Sequence, residues 1–222
     1  MCTFVSRHEQ EIRHPIFARL YAVASRAMEQ GGMADHRRRF LGDVAGRVLE
    51  IGAGNGLNFS HYPAMVTSVR AVEPEPHLRT SARRAAAQAP VPITVVAGTA
   101  EHLPAADDEY DAVVVSLTLC SVADQSRALA EIGRVLRPGG TLHFLEHVRA
   151  EGAALRQIQR VVDATFWPLV FGGCHAGRDT VAAIVRSGFT IDRLHHFVFP
   201  DSRVQLPTSP HVDGVAIWKG TA

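Results

Sequence analysis

Val48-Leu49-Glu50-Ile51 runs straight into Gly52-Ala53-Gly54-Asn55-Gly56, and this junction limits the fold more than any other stretch. An apolar run of that kind suits a parallel strand covered on both faces. Glycines at alternate positions after it permit a tight turn and let a ligand come close to the backbone. The whole reads as strand, glycine turn and helix start, the unit with which α/β folds cradle a nucleotide. The dinucleotide fingerprint G-x-G-x-x-G is not met, because Leu57 occupies the place of its third glycine. A pyrophosphate ligand is therefore disfavoured.

A second apolar run, Ala71-Val72, ends in Glu73-Pro74, about twenty residues beyond the turn, where such folds offer an acid to ribose hydroxyls. Turn and acid together indicate a nucleoside without a diphosphate. Strands are expected near 47–51, 68–73, 93–97, 110–116, 140–147, 190–199 and 211–218, and helical stretches near 57–61, 76–89 and 124–136. That alternation implies a doubly wound, mostly parallel sheet. Ahead of it, Pro15 opens a helix to about Met28 with Ile16, Phe17, Leu20, Val23 and Ala24 as its apolar stripe. A second helix is expected over 34–41, where Arg37, Arg38 and Arg39 read as a solvated face. After Arg149 the pattern changes: 153–171, with Phe166, Trp167 and Phe171, reads as an inserted helical cap. The glycine-rich loop Gly172-Gly173-Cys174-His175-Ala176-Gly177 follows it, and Asp179 or Thr180 can cap the next helix.

At 222 residues the chain fits one domain with an adequate core. It divides into an N-terminal helical lid (1–45), a ligand-binding core (46–148) and a cap with closing strands (149–222). Lys and Arg total 23 against 22 acidic residues, so no global field recruits nucleic acid or an anionic membrane. Twelve histidines are scattered and no local metal-ligand spacing occurs, so no metal is expected. Cys2, Cys120 and Cys174 lie far apart and are odd in number, which suits a reducing cytoplasm rather than a disulfide framework. Residues 4–11 hold no apolar core of signal-peptide or membrane-spanning length, so a soluble protein is expected. A homodimer is allowed but not indicated.

In form and order these segments resemble the Rossmann-like S-adenosylmethionine-dependent methyltransferases. Ala97-Gly98-Thr99-Ala100-Glu101 looks like the segment lining the adenine in that family, Tyr110-Asp111-Ala112-Val113-Val114-Val115-Ser116 like its fourth strand, and Leu136-Arg137-Pro138-Gly139-Gly140 like the turn before its fifth. The resemblance implies a seven-stranded sheet whose last strand is antiparallel and enters between strands five and six. It also implies S-adenosylmethionine as cofactor. Glu50, Gly52, Ala53, Gly54, Asn55 and Gly56 then carry its methionine end, Glu73 and Pro74 the ribose, Thr99, Ala100 and Glu101 the adenine, and Ser116 and Leu117 the sulfonium. Thr99 stands where many relatives have an aspartate for the adenine amino group, leaving that contact to Glu101 or to backbone. Phe17, Leu20 and Tyr21 of the first helix are expected to close over the cofactor.

For the acceptor, Leu119-Cys120-Ser121-Val122, Phe144-Leu145-Glu146-His147-Val148 and the loop from Gly173-Cys174 to Arg178-Asp179-Thr180 look like the small thiol S-methyltransferases of the methyltransferase-like group. A small, rather apolar acceptor, preferably a thiol, is the resulting expectation. Transfer to nitrogen or oxygen, as in a phospholipid amine or a secondary metabolite, and a cofactor-binding protein without turnover are the alternatives. His147, at the end of strand five, is the first candidate base for a thiol that is mostly protonated at neutral pH. A buried polar pair with Glu146 is the other reading of that histidine. His175 is the second catalytic candidate, and Cys120, Trp167, Phe171 and Arg178 are the candidate acceptor-side residues.

Overall fold

A computed structural model describes residues 15–202 and 204–220. Cys2 and the stretch 4–11 lie outside the described residues, as does the side chain of Phe17. Seven strands form one sheet in the order β3-β2-β1-β4-β5-β7-β6. They are β1 (Gly46–Ile51), β2 (Val66–Val72), β3 (Ile93–Val96), β4 (Tyr110–Ser116), β5 (Leu136–His147), β6 (Phe189–Val198) and β7 (Pro210–Trp218). The first five run parallel, while β7 is antiparallel to both β5 and β6. The expected topology is therefore present, and the chain winds outward from β1 in one direction and from β4 in the other. At such a reversal the carboxyl ends of two neighbouring strands part and leave a crevice.

Alternation along the strands divides the core in two. Leu49, Ile51, Val113, Val115, Leu142 and Phe144 face α4 (Gln125–Val135) and α7 (Thr180–Arg186). Val48, Val114 and Leu145 face α2 (Ala34–Leu41) and α3 (Pro76–Ala86) instead. Period-two alternation with apolar residues on both faces is what a sheet sandwiched between helices requires. Both α3 and α4 begin on a side-chain cap: Glu75 accepts from Leu78 N and Asp124 from Arg127 N.

Several expectations need correction. The helix near 57–61 is a single 3-10 turn, Phe59–His61. The cap over 153–171 is split into α5 (Ala153–Asp163) and the short α6 (Trp167–Val170). The stretch before β5 is not merely a turn: Leu136 already pairs with Tyr110, and the register then jumps to Ala112 against Thr141. On α1 (Pro15–Met28) the expected stripe faces the wrong way, since Leu20 and Val23 are 65% and 70% exposed. The inward face is Ala18, Tyr21, Ala22 and Ser25, because the cleft below takes up polar atoms: the Ser25 hydroxyl accepts from Asn55 Nδ2 at 3.2 Å. Arg37 is buried rather than solvated, whereas Arg38 is exposed and Arg39 pairs with Asp213 at 2.8 Å. No helix among the described residues is long and apolar enough to cross a membrane.

Closure of the sheet depends on one small residue. Gly214 of β7 faces Phe144 across the β5 pairing, and a Cβ there would lie 2.6 Å from the Phe144 ring and 2.5 Å from the Arg193 carbonyl oxygen. Gly214→Ala should therefore cost about 1–3 kcal/mol by overpacking, read as a lower urea midpoint at unchanged slope.

Candidate functional site

The crevice opens at the ends of β1 and β4. Gly52, Gly54 and Gly56 hold φ of 70°, 57° and 82°, the left-handed region that side chains avoid. Space forbids a side chain as well: a Cβ on Gly52 would strike the Thr118 hydroxyl, and one on Gly54 would lie 3.2 Å from Tyr21 Cε1. Tyr21 thus rests directly on the glycine turn, and burial pushes its hydroxyl up to about 12 against the pull of Arg37. Leu20, expected beside it over the cleft, points to solvent.

Glu73 anchors that turn to β2. Its Oε2 accepts from Gly54 N at 2.7 Å and its Oε1 from Glu75 N at 2.9 Å. Burial pushes its carboxyl up to about 7, although these amide bonds favour the charged form. Each carboxylate oxygen still has a second lone pair for an incoming hydroxyl.

Other expected cofactor residues have hydrogen-bond partners within the chain. The Glu50 carboxylate is buried and accepts from Tyr62 Oη at 2.6 Å and Asn58 Nδ2 at 2.9 Å, while burial pushes it up to about 7. Arg37 then ties Asn58 Oδ1 at 2.7 Å and Ser116 Oγ at 2.9 Å to Glu29 at 2.9 Å. The network welds α2 to the ends of β1 and β4, so Ser116 and Glu50 hold the cleft from behind. Glu101 accepts on Oε1 from Ala123 N at 2.9 Å and Asp124 N at 3.3 Å, which fixes the start of α4. Thr99 bridges to His102, and the Thr99 to Glu101 segment lies beyond the end of β3.

Past β4 the backbone is strained. Leu117 has φ 54°, rare for a branched side chain. The turn persists because the buried Glu146 carboxylate accepts three successive amides, Thr118 N at 2.8 Å and Leu119 N at 2.9 Å on Oε1 and Cys120 N at 3.2 Å on Oε2. Thr118 Oγ1 in turn donates to the Ile51 carbonyl at 3.1 Å.

Strand alternation sends His147 the other way. It is buried, with Nε2 at 3.2 Å from Cys174 Sγ and Nδ1 without a hydrogen-bond partner among the described residues. The alternative of a Glu146–His147 pair therefore gives way to two buried groups with separate partners. Cys120, His147 and Cys174 offer ligand atoms that all lie within 4.8 Å of one another, a donor set that local sequence spacing could not reveal. Backbone bonds hold the loops together: His175 N donates to the Cys120 carbonyl at 2.9 Å, and Arg178 Nη1 to the Leu119 carbonyl at 2.7 Å. Arg178 thus braces the loop, and His175 is not one of the three donors. Trp167 and Phe171 stack at 4.2 Å, and the indole Nε1 is buried without a partner.

The likenesses agree with this geometry. A methyltransferase domain model matches residues 49–144. Human thiol S-methyltransferase TMT1A is 36% identical over 180 residues, covering 77% of this chain and 70% of its own. The chain belongs to the Rossmann-like S-adenosylmethionine-dependent methyltransferases. Mouse thiol S-methyltransferase TMT1B is 36% identical over 179 residues, covering 79% of this chain and 71% of its own. A SAM-dependent methyltransferase from Thermotoga maritima shares the fold, with a TM-score of 0.68 and 21% identity over 96% of this chain and 100% of its own. As a methyltransferase of this family the chain takes S-adenosylmethionine as cofactor, and the glycine turn and the spare lone pairs of Glu73 fit it.

The Glu50 carboxyl of this enzyme stands at about 7 in the folded chain, above its ordinary 4.5. A raised carboxylate means that folding favours its proton, so the stability it contributes is present at low pH and falls as pH rises through the folded value. Glu50→Gln, which cannot ionise, should therefore gain on the wild type in thermal midpoint as pH rises from about 5 to about 7, then run parallel above it. A difference between the two that stays flat over that range would show that Glu50 ionises freely.

Proposed function

We propose that this methyltransferase S-methylates a small, rather apolar thiol. The observation that carries the reading is the likeness to thiol S-methyltransferases over more than three quarters of the chain. The geometry supports it, because the carboxyl edge of β4 and β5 presents Cys120, His147 and Cys174 rather than a carboxylate pair or an amine-binding cage. Glu73 takes the ribose hydroxyls, Gly52 to Gly56 carry the methionine end of the cofactor, and Tyr21 closes over the turn. When bound, the cofactor supplies an activated methyl group on a sulfonium. Methyl transfer is an in-line displacement, so the chain's task is to align the acceptor, exclude water and favour a free sulfur lone pair.

His147 acts on that lone pair. Its Nε2 stands 3.2 Å from Cys174 Sγ, at the end of β5, where a neutral imidazole can accept a thiol proton. Trp167 and Phe171 give the apolar side of the pocket, where the stacked rings are half exposed.

Three measurements test the reading. Glu73→Ala removes the ribose acceptor and should weaken S-adenosylhomocysteine binding by at least about tenfold in calorimetry; an unchanged affinity would move the ribose site elsewhere. In a radiolabelled-methyl assay, alkane thiols should outpace phenols and amines of equal size, and faster labelling of amines would favour N-methylation. His147→Gln should lower kcat for the thiol by about 10² to 10⁴ near neutral pH, with the gap narrowing toward about pH 9 as thiolate forms unaided. Cofactor affinity should stay unchanged in that variant.

A further inference from the structure

We propose that Cys120, His147 and Cys174 bind a zinc ion, with the fourth coordination position left open toward the acceptor pocket. Two soft sulfurs and one imidazole are the donor types that zinc prefers, and three protein ligands with one vacancy mark a zinc that works on a ligand rather than one that only staples a fold. The distances agree. With Zn–S of about 2.3 Å and Zn–N of about 2.0 Å, tetrahedral ligands stand ~3.6 Å apart for S and N and ~3.8 Å for two sulfurs. Here Nε2 and Cys174 Sγ are 3.2 Å apart, and all three donor atoms fall within 4.8 Å. One ion can touch all three after shifts of at most about an ångström.

The donors sit on backbone that is already fixed. Cys120 is held at its amide by Glu146 and at its carbonyl by His175 N. His147 closes β5, paired with His211 of β7. Cys174 donates its amide to the Phe171 carbonyl at 3.1 Å, within a loop that Arg178 braces to Leu119. With Nε2 of the buried His147 turned to the sulfurs, the ring proton falls to Nδ1, which has no hydrogen-bond partner among the described residues. Two thiolates and a neutral imidazole around a divalent cation carry no net charge, which removes most of the penalty of placing an ion in this interior.

The fourth position deepens the thiol reading and rests on it, whereas the three-donor site does not. A thiol that coordinates there releases its S–H proton to solvent and keeps a lone pair on sulfur for the methyl group. In the zinc-loaded chain His147 is a neutral ligand, and the ion takes over from it the task of freeing the sulfur lone pair.

Cobalt(II) provides a visible stand-in for zinc. Titrated into the reduced, chelator-treated full chain, it should give a thiolate-to-cobalt charge-transfer band that saturates at one ion per chain and is abolished by one equivalent of zinc. Cys120→Ser and Cys174→Ser should lose most of the band, and Cys2→Ser should keep it. No band, or a band that survives in both of the first two variants, overturns the site. A variant-free check guards against misfolding: zinc should protect two of the three cysteine thiols from an aromatic disulfide reagent, and protection of none overturns it equally. Adding an alkane thiol should shift the visible cobalt bands, while the matching alcohol should not; identical spectra overturn the open position. Undiminished thiol methylation by the chelator-treated chain would overturn the link to catalysis and leave the thiol reading standing.

Discussion

Most of the cleft hangs on one carboxylate. Glu146 is fully buried at the end of β5, and burial pushes its carboxyl above the ordinary range even though three backbone amides favour the charged form. Those amides, of Thr118, Leu119 and Cys120, are the donors that a strained turn after Leu117 would otherwise leave unpaired inside the protein. With them satisfied, Thr118 reaches the Ile51 carbonyl and joins the tips of β1 and β4. The Cys120 carbonyl is then presented to His175 N, which carries the Cys174 loop into place. A single side chain therefore fixes both the mouth of the cofactor crevice and the segments that carry Cys120 and Cys174.

The sheet was readable from sequence because period-two alternation and buried apolar runs are local signals. Val48 to Ile51 and Ala112 to Val115 carry them plainly, and the strand order follows from connection length and handedness. The glycine turn and Glu73 were readable for a related reason, since φ above zero and a buried acid at a strand end are constraints on single residues. Arg37 was not. Inside the run Arg37-Arg38-Arg39 it differs from its neighbours only in helical phase, and its partners Asn58 and Ser116 lie 21 and 79 residues away.

The first helix misled for the opposite reason. Counting apolar residues selects Leu20 and Val23, but the face that packs must also supply Tyr21 to the glycine turn and the Ser25 hydroxyl to Asn55. The trio of Cys120, His147 and Cys174 shows the same limit in another form. Each residue lies at a strand end or in a glycine-rich loop at the carboxyl edge, so topology could have placed them together. Spacing rules tuned to one hairpin or one helix could not.

The two halves of the site differ in what holds them. The cofactor half rests on sheet and core, where Leu49, Ile51 and Val115 are shut from solvent. The cap is pinned by polar bonds instead. Gln159 accepts from Ala150 N at 2.8 Å and donates to the carbonyls of Val148 and Ala176 at 3.0 Å and of Pro207 at 2.8 Å. Asp163 accepts from Ala176 N at 2.6 Å and Gly177 N at 2.9 Å. Meanwhile Ile158, Val161, Phe166, Leu169 and Val170 of the cap face outward. Stabilisation by burial scales with apolar area removed from water, so these outward side chains add little to the hold on the cap. Cys174 follows directly from that cap and depends on its polar bonds, whereas Cys120 and His147 are fixed to the sheet.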